Sequence, residues 1–400
     1  MSSTLSKRIV ADHGYVTDIR RDIHKHPELL FETKRTVEVV ARELDEIGIE
    51  YRGGLAKGNG LLGYLPATTN PETAKTVALR ADMDALPIFE ETGLDYASVN
   101  EGVMHACGHD GHTAILIGAA RALAKEEERI NNILFIFQPA EEGGAGGRYM
   151  CEDGVLDGSI FPAKADVAYG LHGWPMVKEG VFGVKNGPLL AATDQFRVTL
   201  KSLGGHAAAP HMTDDTIVAG AQIVTALQSI ASRNIIATEG YIMTVTFFNA
   251  GKAFNVIPSK IDFGGTMRTL TTESREKGKK RFYEIVEGVG KAMGVEVEIE
   301  WFDGYPVTFN DPWATDRYRR IAESVIGKDR MQEEEHPIMG GEDFSFYGQH
   351  VPACFFFVGL CPESQESYPS VHTPMFNFND SVIPDAVETM CRLALDPVER

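Results

Sequence analysis

Between residues 4 and 50, apolar residues recur at three- and four-residue spacing with charges between them, as in Val16 to Ile23 and Val37 to Ile47. That period predicts helix. His26-Pro27 interrupts it, since proline cannot continue a helical hydrogen-bond ladder. Short continuous apolar runs follow, each ending in polar residues. Thr76-Val-Ala-Leu-Arg runs into Ala81-Asp82-Met83-Asp84, and Ile133-Leu-Phe-Ile-Phe runs into Gln138-Pro-Ala-Glu141-Glu142. Asp166-Val-Ala-Tyr-Gly leads to Leu171-His172-Gly173, and Cys354-Phe-Phe-Phe-Val-Gly leads to Leu360. Helical stretches, notably Thr113–Lys125, lie between some of them. Such runs predict buried strands of a mostly parallel sheet. Ligands of these sheets bind beyond the carboxyl ends of the strands, where the polar residues of this chain gather.

Residues 187–303 follow another rhythm. Gln195–Lys201 alternates as a strand, Asp214–Ser232 reads as a helix opened by Asp214 or Asp215, and Tyr241–Phe248 reads as a strand. Lys260–Leu270 is a further strand with a bulge expected at Gly264-Gly265. Ser274–Met293 is an amphipathic helix, and Val295–Phe302 alternates again. The order β-α-β-β-α-β is that of a ferredoxin-like sandwich. The expected organisation is therefore an α/β catalytic domain in two parts, 1–186 and 304–400, with a domain inserted at 187–303.

Charge narrows the function. Lys and Arg number 38 against 57 Asp and Glu, a formal net charge of −19. A nucleic-acid binder needs a basic patch, and the densest basic stretch is Lys279-Lys280-Arg281. The five cysteines are dispersed and odd in number, which argues against a disulfide framework. The segment Met1–Val10 has no apolar h-region, and no apolar run approaches the ~20 residues that span a bilayer. The expectation is a soluble, cytoplasmic protein with neither nucleic-acid nor membrane partners.

The densest chemical cluster is Met104-His-Ala-Cys-Gly-His-Asp-Gly-His112. Cys107 and His109 are two residues apart, so in an extended loop both can face one ion. A thiolate and an imidazole suit zinc and other borderline metals. A polar loop with a buried Cys and a helix-capping Asp110 is the plainer alternative, which the concentration of His, Cys and Asp disfavours. Glu141-Glu142 follows a buried apolar run, where a carboxylate must be paired or bound to metal unless it is solvated at the strand end. Asp82 and Asp84, His172 and His372 repeat the theme at other run ends. A divalent metal polarises a carbonyl and lowers the pKa of its water to about 7, and a neighbouring carboxylate can carry that water's proton to a leaving amine. Competing signals are weak. Glu142-Gly-Gly-Ala-Gly-Gly147 lacks the dinucleotide-binding order of glycines and a P-loop lysine. The chain has no G-x-S-x-G element and no C-x-x-C pair.

The motifs resemble those of metallopeptidase family M20, in its aminoacylase, hippurate hydrolase and auxin-conjugate amidohydrolase branch. The matching segments are His26-Pro-Glu28-Leu-Leu-Phe-Glu32, Arg80-Ala-Asp-Met-Asp-Ala-Leu-Pro87, Met104–His112 and Gln138-Pro-Ala-Glu-Glu-Gly143. They continue with Gly170-Leu-His-Gly-Trp-Pro175, Gly204-Gly-His-Ala-Ala-Ala-Pro-His211, Gly340-Gly-Glu-Asp-Phe344 and His372-Thr-Pro374. In order, they cover most of the chain.

The resemblance implies a catalytic domain with an inserted dimerisation or lid domain, a homodimer or a higher homo-oligomer, and two divalent metal ions per subunit. Zinc is the first choice, with manganese, cobalt and nickel also compatible. Cys107, His109, Glu142, His172 and His372 match the branch's metal-ligand positions. Cys107 takes a bridging place held by Asp in other M20 enzymes, and Asp82 falls where those enzymes place a ligand His. Glu141 matches the general base and Asp84 a supporting acid. His206 matches the residue that steadies the oxyanion, and Asn255 and Arg268 match positions proposed to bind the substrate carboxylate. A Gly-flanked turn residue remains the alternative for His206, and a surface charge the alternative for Arg268. The implied reaction is hydrolysis of the amide of an N-acyl amino acid, of N-acetyl or N-benzoyl type, or of a related small conjugate. A dipeptidase or carboxypeptidase on the same site is the alternative, since a short peptide is also an amide with a carboxylate.

Overall fold

The computed structural model describes residues 4–400. The chain opens with α1 (Thr4–Lys25) and α2 (Lys34–Ile47), then β1 (Glu50–Leu55), β2 (Gly60–Leu65) and β3 (Thr76–Asp82). It continues through α3 (His109–Ala124), β4 (Asn132–Gln138), α4 (Gly146–Glu152), β5 (Val167–Lys178), β6 (Phe182–Val184) and β7 (Gly187–Leu190). Next come β8 (Ala192–Lys201), β9 (Gly205–His206), α5 (Thr216–Ser229), β10 (Tyr241–Ala250), β11 (Val256–Ile257), β12 (Lys260–Thr269), α6 (Thr272–Ala292) and β13 (Glu296–Asp303). The last are β14 (Thr308–Asn310), α7 (Pro312–Ile326), β15 (Met331–Glu333), α8 (Ser345–Gly348), β16 (Ala353–Cys361) and α9 (Ile383–Leu395). Two compact units result: residues 1–189, 309–336 and 343–400 form one, and residues 190–308 with 337–342 form the other.

The first unit is built on an eight-stranded sheet in the order β1-β2-β4-β3-β5-β16-β6-β15. Its centre, β4-β3-β5-β16, is parallel throughout. These are the four apolar runs read from the sequence, and nearly every residue in them is buried. A strand covered on both faces has no polar face to show, hence the unbroken apolar runs. The antiparallel hairpin β1–β2 at one edge was not expected; its Gly53, Gly54, Gly60 and Gly63 blur any alternating pattern. α3 is buried on almost every side, as an apolar helix packed between the sheet and other helices must be. It joins α1, α9 and the sheet in one core.

The register aligns the strand ends. Asp82 pairs with Gln138 across β3 and β4, and Arg80 pairs with Gly170 across β3 and β5. His172, two residues beyond Gly170, therefore stands level with Asp82. Asp84 and Glu141-Glu142 follow the ends of β3 and β4 at the level of His172, which does not end its strand as the sequence suggested but lies within β5.

The second unit holds an antiparallel sheet, β10-β12-β8-β13, with α5 and α6 packed on it. Its core includes Phe196, Val198, Ile223, Leu227, Phe263, Met267 and Phe282. Asp215, rather than Asp214, caps α5 by accepting the amides of Ile217 at 2.9 Å and Val218 at 3.1 Å. The bulge lies on the strand facing the expected glycine pair: the register slips between Val245 and Phe247, opposite Gly265 and Gly264. The glycines permit a close approach, since a Cβ on Gly265 would sit 1.9 Å from the Thr244 carbonyl oxygen.

Candidate metal centre

The loop after β3, the start of α3, the turn after β4, the middle of β5 and the segment before α9 meet around Cys107. Gly108 adopts φ +87°, a left-handed conformation that glycine reaches without a Cβ clash. It turns the chain sharply between Cys107 and the first residue of α3, His109. The Cys107 sulfur lies 3.3 Å from His172 Nε2 and 3.3 Å from His372 Nε2. His372 Nε2 is in turn 3.2 Å from Glu142 Oε1.

These atoms form two triads that share the sulfur. Cys107, His109 and His172 make one, and Cys107, Glu142 and His372 make the other, each with its ligand atoms within 4.8 Å of one another. Zinc bonds of about 2.0–2.3 Å in a tetrahedron place neighbouring ligand atoms about 3.3–3.8 Å apart, so the contacts around the sulfur suit a shared ion. His109 supplies a second test. Both its ring nitrogens are buried and make no hydrogen bond, an arrangement that ordinarily carries a large penalty. A cation bound at one nitrogen would relieve that one, while Nδ1 faces Asp84 at 3.5 Å.

The surrounding groups set the tautomers. His172 Nδ1 lies 2.8 Å from the Gly173 carbonyl oxygen, so Nδ1 carries the hydrogen and Nε2 presents its lone pair to the Cys107 side. The amide of Gly173 donates to His112 Nε2 at 2.8 Å, while His112 Nδ1 meets Asp82 at 2.7 Å. Both His112 nitrogens are thereby occupied. Asp82 is also held by Arg80 at 2.6 Å. Asp82 and His112 thus brace the site instead of offering free ligand atoms, although with His109 they form another potential triad.

Asp84 organises the glutamate pair. Its two carboxylate oxygens accept the amides of Glu141 at 2.9 Å and Glu142 at 3.1 Å, and it stands 3.5 Å from His109 Nδ1. Glu141 is buried, and its carboxylate is grouped with His109 and Glu142. Ala140 and His372 both adopt positive φ, +57° and +63°, a strained state for residues with a Cβ that persists only where the surroundings over-determine it.

The electrostatics favour a cation. Burial, then Glu142, Glu141 and Asp82, push the Cys107 thiol well up, against ionisation in the bare chain. Burial alone would lower the His109 pKa, but Asp82, Asp84 and Glu142 raise it to about 10. The cluster therefore draws positive charge toward the point where His109 and Cys107 meet, and a bound divalent ion would reverse the thiol's preference. Burial and the neighbouring His112 hold His172 well below the usual histidine range, as a neutral imidazole.

The remaining candidates lie in the second unit. β9 pairs with β11, opposing His206 to Val256, and the Asn255 carbonyl oxygen accepts the amide of Ala207 at 3.0 Å. His206 and Asn255 are neighbours and both are exposed. His206 Nδ1 accepts the Ala208 amide at 3.0 Å, which leaves the hydrogen on Nε2. Arg268 is not beside them. It pairs with Thr193 and Ile242 at one end of the sheet, whereas His206 and Asn255 flank the end where Lys201 pairs with Lys260. Arg268 lies eight residue steps along β12 from Lys260, about 26 Å of strand. The guanidinium donates to Thr266 Oγ1 and, at 3.3 Å, to the Met267 carbonyl.

Sequence reasoning assigned no role to Arg20 or to Asp343. Asp343 is buried, accepts from Arg80, Gln138 and the Gly147 amide at 2.8 Å each, and its own amide faces Glu141 Oε1 at 3.4 Å. The motif Gly340-Gly-Glu-Asp-Phe344 was its only signal.

The chain is similar to several known proteins over most of its length. An N-acetyl-L-cysteine deacetylase of Bacillus subtilis is 38% identical over 383 residues, covering 95% of this chain and 86% of the relative. A hippurate hydrolase of Campylobacter jejuni is 35% identical over 383 residues, covering 96% of each. The crystal structure of a dinuclear metal binding peptidase from Bacillus subtilis superposes with a TM-score of 0.80 at 32% identity, covering 96% of this chain and 98% of that one. The profile of peptidase family M20/M25/M40 matches residues 78–396. The chain belongs to peptidase family M20/M25/M40.

Proposed function

We propose that this protein is a metal-dependent amidohydrolase that cleaves N-acyl amino acids to a carboxylate and a free amino acid. The observation that carries the reading is the buried Glu141 carboxylate beside two ligand triads that share one cysteine sulfur. The names of the deacetylase and hippurate hydrolase relatives point to the same bond, an amide between a small acyl group and an amino acid.

Cys107, His109 and His172 would hold one divalent ion, and Cys107, Glu142 and His372 the other, with zinc the first choice for a set containing a thiolate. Such ions, when bound, polarise the acyl carbonyl and lower the pKa of water. Glu141 takes a proton from the attacking water on a carboxylate oxygen as the water's C–O bond forms. It then delivers that proton to the amide nitrogen as the C–N bond breaks. Asp84 keeps the Glu141-Glu142 turn in place through its two amide contacts. His206 donates its Nε2–H to the developing oxyanion, a role supported by the Ala208 contact at Nδ1. Asn255 and Arg268 bind the substrate carboxylate, for which a guanidinium fork is suited.

The β-α-β-β-α-β segment at 187–303 serves in this reading as a ferredoxin-like lid and dimerisation domain. Two observations support a homodimer. Strand β10 is a sheet edge with Ile242, Phe247 and Phe248 exposed, a surface suited to pairing with a second copy. Arg268 and the His206–Asn255 pair occupy opposite ends of one sheet, so both reach one substrate most simply from different copies. The cytoplasm is the proposed location, supported by the cysteines of the chain being free, as a reducing compartment keeps them.

A panel of N-acetyl and N-benzoyl amino acids, assayed beside dipeptides with zinc, manganese, cobalt and nickel in turn, tests the reading. N-acyl amino acids should be the better substrates. Dipeptides turned over faster than any of them would favour a peptidase.

A further inference from the structure

The first-unit helix α1 carries an arginine and a histidine whose chemistry the proposed reaction does not use. Arg20 is wholly buried. Its Nε and Nη2 donate to the two carboxylate oxygens of Asp380 at 2.8 and 3.0 Å, and its Nη1 donates to Asp110 and to Asn377, both at 3.2 Å. His24, one helical turn further on, holds the same Asp110 oxygen at 2.9 Å and Glu90 at 3.2 Å. Buried charges of this kind are costly to assemble and often exchangeable for apolar packing, so their arrangement needs a reason.

Each partner lies in, or is hydrogen-bonded through its neighbour to, a segment that carries a proposed metal ligand. Asp110 follows His109 in the first turn of α3, and Asn377 and Asp380 lie shortly after His372. Glu90 precedes Glu91, whose amide donates to the Pro374 carbonyl at 2.9 Å. The two ligand segments also touch directly: the His372 amide donates to the Ala106 carbonyl at 2.7 Å. The Phe378 ring lies so close to Gly111 that a Cβ there would sit 2.5 Å from it.

We infer that Arg20, with His24, is a positioning residue for the metal centre: its guanidinium clamps the Cys107–Asp110 segment to the 372–380 segment and so fixes His372 relative to Cys107. The inference rests on the ligand set proposed above. His372 needs such a clamp because its side chain is half exposed while its backbone is held at φ +63°. Metal ligands tolerate displacements of only ~0.2 Å. Loss of the fork frees His372 to relax and opens the distance to the shared sulfur. Only a planar fork with several fixed donors can engage Asp110, Asn377 and Asp380 together, so lysine is not an equivalent.

The test measures zinc affinity of the full-length, zinc-loaded protein by competition with a chromophoric chelator, alongside thermal unfolding. Arg20→Met removes the fork, and Asp380→Asn weakens it at a less buried partner if the first variant folds poorly. Arg317→Lys is the control, because Arg317 is also buried and multiply bonded but binds Tyr169, Leu393 and Asp396 instead of the ligand segments. We expect Arg20→Met and Asp380→Asn to weaken at least one zinc equivalent about tenfold, and Arg317→Lys to lower the unfolding temperature without changing zinc affinity. Zinc affinities within about twofold of wild type in both clamp variants would overturn the inference, as would an equal loss in the Arg317 control. Cys107→Ser is measured beside them: wild-type zinc binding in that variant would overturn the ligand set itself, and the clamp with it.

Discussion

Asp84 accepts the backbone amide of Glu141 at 2.9 Å. The same carboxylate takes the Glu142 amide, so one buried acid sets the direction of both the proposed base and a proposed ligand. Asp84→Ala should lower kcat by about 10- to 100-fold, as loss of an outer partner of a metal site does, with a smaller change in KM. Steady-state kinetics on an N-acyl amino acid check this. A change in KM alone would place Asp84 in substrate binding.

Cys107 is the common member of both triads, and its identity should govern which metal is preferred. Cys107→Asp retains an anionic ligand that can bridge but loses the soft sulfur, so binding should shift from zinc toward manganese. Cys107→Ser should lose metal outright. Elemental analysis after dialysis against each ion decides; an unchanged zinc-to-manganese preference in Cys107→Asp contradicts the thiolate assignment.

The four central strands were legible because burial on both faces leaves only apolar side chains, as in Ile133–Phe137 and Cys354–Val358. The β1–β2 hairpin was not, since its glycines carry no pattern. The candidate ligands stood out as motifs. The difference between His112 and His172 did not, because it depends on which nitrogen meets the Gly173 amide and which the Gly173 carbonyl. The Arg20 clamp was equally hidden. Its partners lie 90 and 360 residues away in the chain, and only the fold brings them together.

The buried His24 gives stability a pH signature. Burial opposes its charge, but the bonds to Asp110 and Glu90 raise its pKa to about 9, against about 6.5 in an unfolded chain. The stabilisation is fully present below pH ~6.5 and is lost as pH rises through ~9, up to about 3 kcal/mol. The stability difference between wild type and His24→Gln, from urea unfolding at several pH values, should shrink across that window. A difference that stays constant would mean His24 is not charged in the folded state.

The Gly265 position tests the packing of the second unit. A methyl group there would meet the Thr244 carbonyl oxygen at 1.9 Å, and backbone cannot swing aside as a long side chain can. Gly265→Ala should destabilise the protein by about 1–3 kcal/mol, read as a lowered midpoint in urea. An unchanged midpoint would show that the bulge opposite Gly265 absorbs the extra atom.

Glu141 carries the central claim, and Glu141→Gln tests it most directly. The substitution preserves size and removes the proton acceptor without touching any proposed metal ligand. Hydrolysis of an N-acetyl amino acid and metal content are measured on the same preparation. The account predicts metal content equal to wild type, with turnover reduced by about 10²- to 10⁴-fold. Wild-type turnover in that variant, at wild-type metal content, would contradict it.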